Sequence, residues 1–330
     1  MQPGSLDVVG IGNAIVDVLT HAEESFLGAQ SLEKGSMTLI DTARAEALYA
    51  AMGPAVESSG GSAANTMAGL ASLGASGGFI GKVRDDQLGG IFRHDITTGG
   101  TLYRVAPATE GEPTARCLIF VTPDAQRTMA TYLGTSITFG PEDLDLELVR
   151  AGRVLYLEGY LWDAPPAKEA FLKAAEAARG VGAKIALSLS DAFCVERHRE
   201  SFRELVDGHV DILFANETEI RALYETDDFD AAAAAVRGHC EVAALTRSER
   251  GSLVLADGEA HPVDAMSLGP LVDSTGAGDA YAAGFLYGYS RKLDPATCGR
   301  YGSLAAGEVI THMGPRPERS LAELARDRLG

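Results

Sequence analysis

An acidic residue sits behind a glycine turn in Asp273-Ser274-Thr275-Gly276-Ala277-Gly278-Asp279, and a run of small and apolar residues, Ala280-Tyr281-Ala282-Ala283-Gly284-Phe285, follows it. Small residues at 276–278 let consecutive backbone N–H groups converge, and the run after them reads as a helix, so these amides lie at its positive end. Such a turn is an anion hole. Asp279 can take a proton from an attacking hydroxyl while the amides of Gly276, Ala277 and Gly278 hold the charge of a transferring phosphoryl group. The plainer reading of the same residues is a glycine turn with Asp279 capping the helix. A second string, Ser59-Gly60-Gly61-Ser62-Ala63-Ala64-Asn65, runs on through small residues to Gly74. Here Gly60 and Gly61 let backbone approach a ligand hydroxyl, and Asn65 carries a donor and an acceptor to the same helix end; a loop leading into a tightly packed helix is the alternative. Rival phosphate loops fail on inspection. Gly81-Lys82 is followed by Val83 and preceded by Ser76 where a Walker loop needs glycine, and Gly10-Ile11-Gly12 has Ile15 where a dinucleotide fingerprint needs its third glycine.

The two strings together resemble the signatures of the PfkB family, which includes ribokinase, fructokinase and adenosine kinase, and the likeness extends from Val9 to Gly314. It implies phosphoryl transfer from ATP with Asp279 as general base. Asn216-Glu217-Thr218-Glu219 resembles the Asn-x-x-Glu motif that organises Mg²⁺ in the family, usually through water, and so implies that role for Asn216 and Glu219, with Asn216 also near the nucleotide. A helix start capped by Asn216 with solvated acids is the other reading. Thr246-Arg247-Ser248-Glu249-Arg250-Gly251 resembles the family's Thr-x-Gly-x-x-Gly nucleotide loop, with Ser248 in place of its first glycine. Thr246 and Gly251 are the nucleotide contacts it implies, while Arg247 could neutralise phosphate or face solvent. A monovalent cation, K⁺, near Asp273 and Thr275 is a further possibility the resemblance raises, its ligands being backbone carbonyls.

For the acceptor, Asn13 and Asp17 in Gly12-Asn13-Ala14-Ile15-Val16-Asp17 resemble the segment whose carboxylate accepts hydrogen bonds from two sugar hydroxyls; a strand-end turn is the bland alternative. Arg127, at Gln126-Arg127-Thr128, looks like the lid arginine that adenosine kinases bring toward the phosphates, or is an exposed hairpin charge. The segments Gly10–Asp17 and Pro113–Cys117, and Tyr160 after Gly159, are more similar to adenosine kinases than to ribokinase. Met37, Leu39 and Tyr160 could offer faces to adenine, though each also suits a core. The expected reaction is phosphorylation of the 5′-hydroxyl of adenosine, with ribose, fructose or 2-keto-3-deoxygluconate as alternative acceptors. A non-catalytic nucleoside or sugar sensor is the competing class, which has no need of a base such as Asp279.

The elements that must position these residues are legible as rhythm. Leu6–Ile11, Gly78–Gly81, Val154–Leu157, Ile185–Leu187, Ile212–Phe214 and Val242–Leu245 are short apolar runs that read as buried strands; Asn65–Leu73, Ala164–Arg179 and Arg197–Leu205 have helical spacing between them. The expectation is an α/β protein, a ribokinase-like three-layer α/β/α core with a mostly parallel sheet plus a small β-sheet lid, forming a single kinase domain over 1–330. Lid strands are expected from about 13–41 and 101–133, where alternating patterns replace helix signals. With 330 residues and 46% hydrophobic content the chain can bury a large core. Its net charge of −18 argues against nucleic acid and anionic membrane as partners. Four widely spaced cysteines, Cys117, Cys194, Cys240 and Cys298, and an amino terminus without signal-peptide regions point to a reduced cytoplasm. A lid edge could stay capped in a monomer or pair in a lid-mediated homodimer.

Overall fold

The computed structural model describes residues 1–124 and 126–330. Its strands are β1 (Leu6–Ile11), β2 (Ile15–His21), β3 (Met37–Leu39), β4 (Val56–Gly60), β5 (Gly77–Ile80), β6 (Thr101–Tyr103), β7 (Ala115–Val121), β8 (Arg127–Tyr132), β9 (Gly152–Glu158), β10 (Lys184–Ser188), β11 (Ile212–Asn216), β12 (Val242–Thr246), β13 (Ser252–Ala256) and β14 (Glu259–Val263). Nine of them form one sheet in the order β14-β13-β12-β11-β10-β9-β1-β5-β6. From β12 to β6 every pairing is parallel; at the other edge β13 pairs antiparallel with β12, and β14 antiparallel with β13.

Parallel strands buried on both faces should be apolar throughout, and the split of their side chains explains the three layers. Val9, Ile11, Leu155 and Leu157 point to a core shared with Phe171, Phe202, Leu223 and Val236, from helices on one face. Val8, Val154 and Tyr156 point to a core shared with Met67, Ala283 and Phe285, from helices on the other. The six apolar runs read from the sequence all lie in this sheet. Among the described residues no helix is long and apolar enough to cross a membrane.

The second sheet has the order β3-β8-β7-β2-β4 and stands over the carboxyl ends of the large one. Three corrections apply to the expected lid segments. Strand β6, inside 101–133, pairs with β5 and extends the large sheet. Strand β4, outside both expected segments, pairs antiparallel with β2 and forms a lid edge. Within 13–41 the residues Glu24–Ala29 are helical. The physical reason is the same in each case: these are short elements whose state is decided by the partner available, not by their own pattern.

The crossing between sheets takes only Gly12, Asn13 and Ala14. A Cβ on Gly12 would lie 2.3 Å from Glu158 Oε2 and 2.7 Å from the Ala63 Cβ, so the corner turns only because nothing projects there.

Candidate active site

Between the carboxyl ends of the large sheet and the small sheet lies a cleft of about 620 Å³. Its floor holds Asp279, in the first turn of the helix Ala277–Ser290, where Ser62 Oγ donates to Oδ1 at 2.6 Å and Asn65 Nδ2 lies 3.5 Å from Oδ2. Burial pushes Asp279 up to about 7; the charges of Glu158 and Asp17 add to this, and the hydrogen bonds from Ser62 and Asn65 oppose it. A carboxylate poised there can hold or release a proton near neutral pH.

The glycine turn before it is strained in a way only glycine tolerates. Gly276 has φ 76°, and a Cβ would sit 2.5 Å from that of Pro315. The three expected amides are not equivalent, however. Ala277 N donates to the Ser274 carbonyl at 3.2 Å and closes the turn, which leaves the amides of Gly276 and Gly278 without a protein acceptor among the described residues. A Cβ on Gly278 would meet nothing within 4 Å, so the cleft is open at that point. The anion hole therefore has two free donors with Ala277 as its brace.

Asp17 lies on β2, and burial lifts it to about 6 against the pull of Arg316 and then Arg127. Gly60 does not line the cleft. A Cβ there would be 2.4 Å from Asp17 Oδ2, so this glycine makes room for the carboxylate instead of touching a ligand as expected. Gly61, at the helix start, lines the cleft with φ 97° and would bring a Cβ to 2.3 Å from the Asn13 carbonyl. Gly61→Ala is accordingly expected to lose about 1–3 kcal/mol from backbone strain alone, measured by chemical denaturation. A loss under a few tenths of a kcal/mol would contradict the geometry.

Asn13 N and Nδ2 both donate to Glu158 Oε1, at 3.2 and 2.8 Å, and Ala63 N donates to Oε2 at 2.8 Å. Burial raises the Glu158 carboxyl, with these three donors opposing. With its NH₂ engaged, Asn13 must present its carbonyl oxygen, and Oδ1 is buried in the cleft wall without a protein partner among the described residues. It is a ready acceptor.

At the other end, Asn216 and Glu219 form a reciprocal capping box: Glu219 N donates to Asn216 Oδ1 at 2.9 Å, and Asn216 N and Nδ2 donate to Glu219 Oε2 and Oε1 at 2.9 and 2.6 Å. Glu219 is buried, not solvated, and is pushed up to about 7 by burial, then by Asp191 and Asp279. A hydrated divalent cation would relieve this crowding of carboxylates, and both residues line the cleft, so the donors fit Mg²⁺ held through water.

Thr246 lines the cleft at the end of β12, whereas Gly251 does not. Gly251 has φ 78°, and its Cβ would be 2.0 Å from the Val263 carbonyl, so it is glycine because β14 passes close by. Ser248 adopts φ 53°, the left-handed conformation a glycine would take, and the loop's path survives the substitution. Arg247 lies over the Phe229 ring at 3.9 Å and 3.6 Å from Glu217, rather than in open solvent.

Arg127 is not an exposed hairpin charge. It is buried at the start of β8, 2.9 Å from Asp273 Oδ2, at an angle that makes an ion pair but no hydrogen bond, and among the described residues its N–H groups have no acceptor at the cleft. Asp273, although burial acts to raise it, is held below the usual carboxylate range by the amides of Gly314 and Thr275, the Thr275 hydroxyl and Arg127. Met37 and Leu39 are exposed, 52% and 60%, on the lid edge facing the cleft, and Tyr160 is 40% exposed in the short helix after β9. None of the three is a core residue. Ile15, Cys117, Met129 and Leu133 complete an apolar wall under the lid.

Sequence reasoning overlooked Ser62, Glu158 and Arg316. Ser62 was visible beside Gly61, and Glu158 at the end of an apolar strand stood where open α/β sheets place ligand contacts. Arg316, in Gly314-Pro315-Arg316-Pro317, carried no signal.

A large parallel sheet roofed by a small one, with an acid behind a two-donor glycine turn, defines a ribokinase-like phosphotransferase acting on an alcohol group. The chain belongs to the pfkB family carbohydrate kinases, whose family model matches residues 37–320. It is similar to the solved structure of adenosine kinase from Sinorhizobium meliloti, at 51% identity and a TM-score of 0.90 over 98% of this chain and 99% of that one. A probable sugar kinase from Rhizobium etli CFN 42 matches at 47% identity and a TM-score of 0.90 over 98% of both chains. Fructokinase from Escherichia coli is 29% identical over 237 residues, 70% of this chain and 76% of that protein. Membership implies ATP as phosphoryl donor, usually with Mg²⁺.

Proposed function

We propose that the protein transfers the γ-phosphoryl group of ATP to the 5′-hydroxyl of adenosine, giving AMP and ADP. The observation that carries this reading is the two-sided cleft: Asp17, Asn13 Oδ1 and Asn65 at one side, the apolar wall of Ile15, Met37, Leu39 and Leu133 beside it. A nucleoside matches both, with a ribose diol for the polar side and a flat base for the apolar one, whereas a free sugar has hydroxyls around its whole rim.

In this reading Asp17 accepts hydrogen bonds from two ribose hydroxyls, Asn13 Oδ1, Gly61 and Asn65 fix the ring, and Met37, Leu39 and Tyr160 border the base. The 5′-hydroxyl proton goes to Asp279 as the oxygen forms its bond to the γ-phosphorus, and the bond from that phosphorus to the β,γ-bridging oxygen breaks to release ADP. Gly276 and Gly278 donate to the phosphoryl oxygens, and Thr246 and Asn216 border the nucleotide. Mg²⁺, when bound, supplies neutralising charge, with Asn216 and Glu219 holding its waters. Positioning provides most of the acceleration.

A coupled ADP-release assay with adenosine, ribose, fructose and 2-keto-3-deoxygluconate tests the reading. Adenosine is expected to exceed each sugar in kcat/KM by about a hundredfold or more. A sugar that surpasses adenosine overturns the acceptor, and binding of adenosine without turnover overturns the reaction.

A further inference from the structure

The segment Gly314-Pro315-Arg316 ties together pieces of the cleft from distant parts of the chain. Gly314 N donates to Asp273 Oδ2 at 3.0 Å, and Pro315 packs on Gly276. Arg316 reaches past the glycine turn to the helix Ser62–Ser72, where its Nε donates to Asn65 Oδ1 at 3.2 Å. Its Nη1 donates to Asp95 Oδ2 at 3.1 Å, an oxygen that also accepts from Ser59 N at 2.7 Å and Ser59 Oγ at 2.5 Å. Ser59 belongs to β4, the strand that runs into Gly60 and Gly61. Arg316 itself does not line the cleft, so it acts through others.

We propose that Arg316 is a positioning residue for the acceptor: its hydrogen bonds hold the Asn65 amide by its oxygen and, through Asp95, the Ser59 strand that leads to Gly61, and its guanidinium brings positive charge to the Asp17 side of the cleft. The proposal rests on the reading of the cleft as a nucleoside site.

The first half follows from donor chemistry. A guanidinium has only donors, so the amide of Asn65 must turn its oxygen to Arg316, and its NH₂ then faces Asp279 and the cleft. Arg316 and Asp279 thus hold the amide from its two ends, the guanidinium on its oxygen and the carboxylate on its NH₂. The second half follows from the charges around Asp17. Four groups act across it: Arg316 from the segment Gly314-Pro315-Arg316, Arg127 from β8, the Cys117 thiol from β7 and Asp279 from the floor. Among the described residues only the two arginines favour its ionised form, Arg316 the more strongly, and Arg127 is shared with Asp273. Loss of Arg316 therefore leaves a buried carboxyl with weaker compensation. Once protonated it loses acceptor capacity and gains a donor that a diol cannot use as well.

The test uses Arg316→Met and Arg316→Lys in the full chain. The first readout is a ¹³C carboxylate NMR titration of the substrate-free protein, with the Asp17 signal assigned by its loss in Asp17→Asn. In Arg316→Met, Asp17 is expected to titrate about one pH unit higher than in the parent, and in Arg316→Lys close to the parent. The second is kinetic: KM for adenosine rises about tenfold or more in the Met variant while kcat changes less. An unshifted Asp17 titration together with a KM within about threefold of the parent would overturn the proposal. A residue that merely supports the fold would lower the melting temperature of both variants without moving Asp17. Should the Met variant not fold, Arg316→Gln, which keeps a donor for Asn65 but no charge, is read by the same titration. Because the titration needs no substrate, failure of the parent to phosphorylate adenosine would overturn the nucleoside reading separately, while Arg316's hold on Asp17 is still decided.

Discussion

Asp279→Asn is expected to lower kcat by about a thousandfold or more while adenosine and ATP still bind, because an amide of the same shape cannot take the hydroxyl proton. The two groups that fix the carboxylate, Ser62 and Asn65, remain in place, so the loss is one of chemistry and not of geometry. Equilibrium dialysis or calorimetry checks the binding, and single-turnover kinetics the rate. Activity within tenfold of the parent would refute the assignment of the base. The same substitution is expected to stabilise the free protein at pH 8. An aspartate raised from 3.8 to about 7 binds its proton more tightly in the folded state, so stability is greatest below the unfolded value and is lost as pH rises through about 7. Replacing an ionised, crowded carboxylate with a neutral amide removes the whole of that loss at pH 8 and a smaller part at pH 5, where the folded parent is still protonated but its unfolded chain is not. Melting curves at the two pH values check the sign. Asp17 and Glu219, also raised, act in the same direction, so the parent itself should melt lower at pH 8 than at pH 5. For activity the sign is opposite: kcat/KM should fall as pH drops below about 7, with an apparent value that belongs to the coupled Asp279–Asp17 set.

Asp17→Asn is expected to reduce kcat/KM for adenosine by about a hundredfold or more, chiefly through KM, since hydrogen bonds to a charged acceptor are worth about 1.5–3 kcal/mol each. The effect should vanish with 2′,3′-dideoxyadenosine, which has no diol to lose. That comparison isolates the contact from any general disturbance of the cleft. Equal losses on both substrates would show that Asp17 does not hold the diol. Gly60→Ala offers an independent route to the same result, because a Cβ at that position would overlap the Asp17 carboxylate at 2.4 Å and must displace it. Its KM should follow that of Asp17→Asn, although no catalytic group has been removed.

The outcome at Gly60 and Gly251 bears on how glycines are read. Both stand in segments resembling ligand loops, and both are glycine because another part of the protein comes too close, the Asp17 carboxylate in one case and the Val263 carbonyl in the other. A sequence shows that a side chain is absent but not what fills the space. Gly61 and Gly276, by contrast, combine a positive φ with a place in the cleft wall, and their neighbours in the string already indicated as much. The Ala277 amide is a similar case: three small residues in a row suggest three donors, and the turn uses one of them to hold itself shut.

What the sequence by itself determined is what depends on near neighbours along the chain. The parallel strands were legible because burial on both faces demands continuous apolar runs, and the turn behind Asp279 because a helix start with small residues has few conformations open to it. The capping pair of Asn216 and Glu219 belongs here too, three residues apart on one helix end. The tertiary structure alone decided the rest. Strand β4, with Glu57, Ser58 and Ser59 at its centre, has no strand pattern of its own and exists because β2 offers an edge. Glu158 gains its importance by receiving Asn13 and Ala63 from two other segments, and Arg127 loses its expected freedom to Asp273, far away in the chain. Arg316 is the extreme case, meeting Asn65 across 251 positions of sequence. Hydrogen-bond direction and the charge felt by a buried carboxyl depend on which atoms converge in space, and no local spacing encodes that convergence.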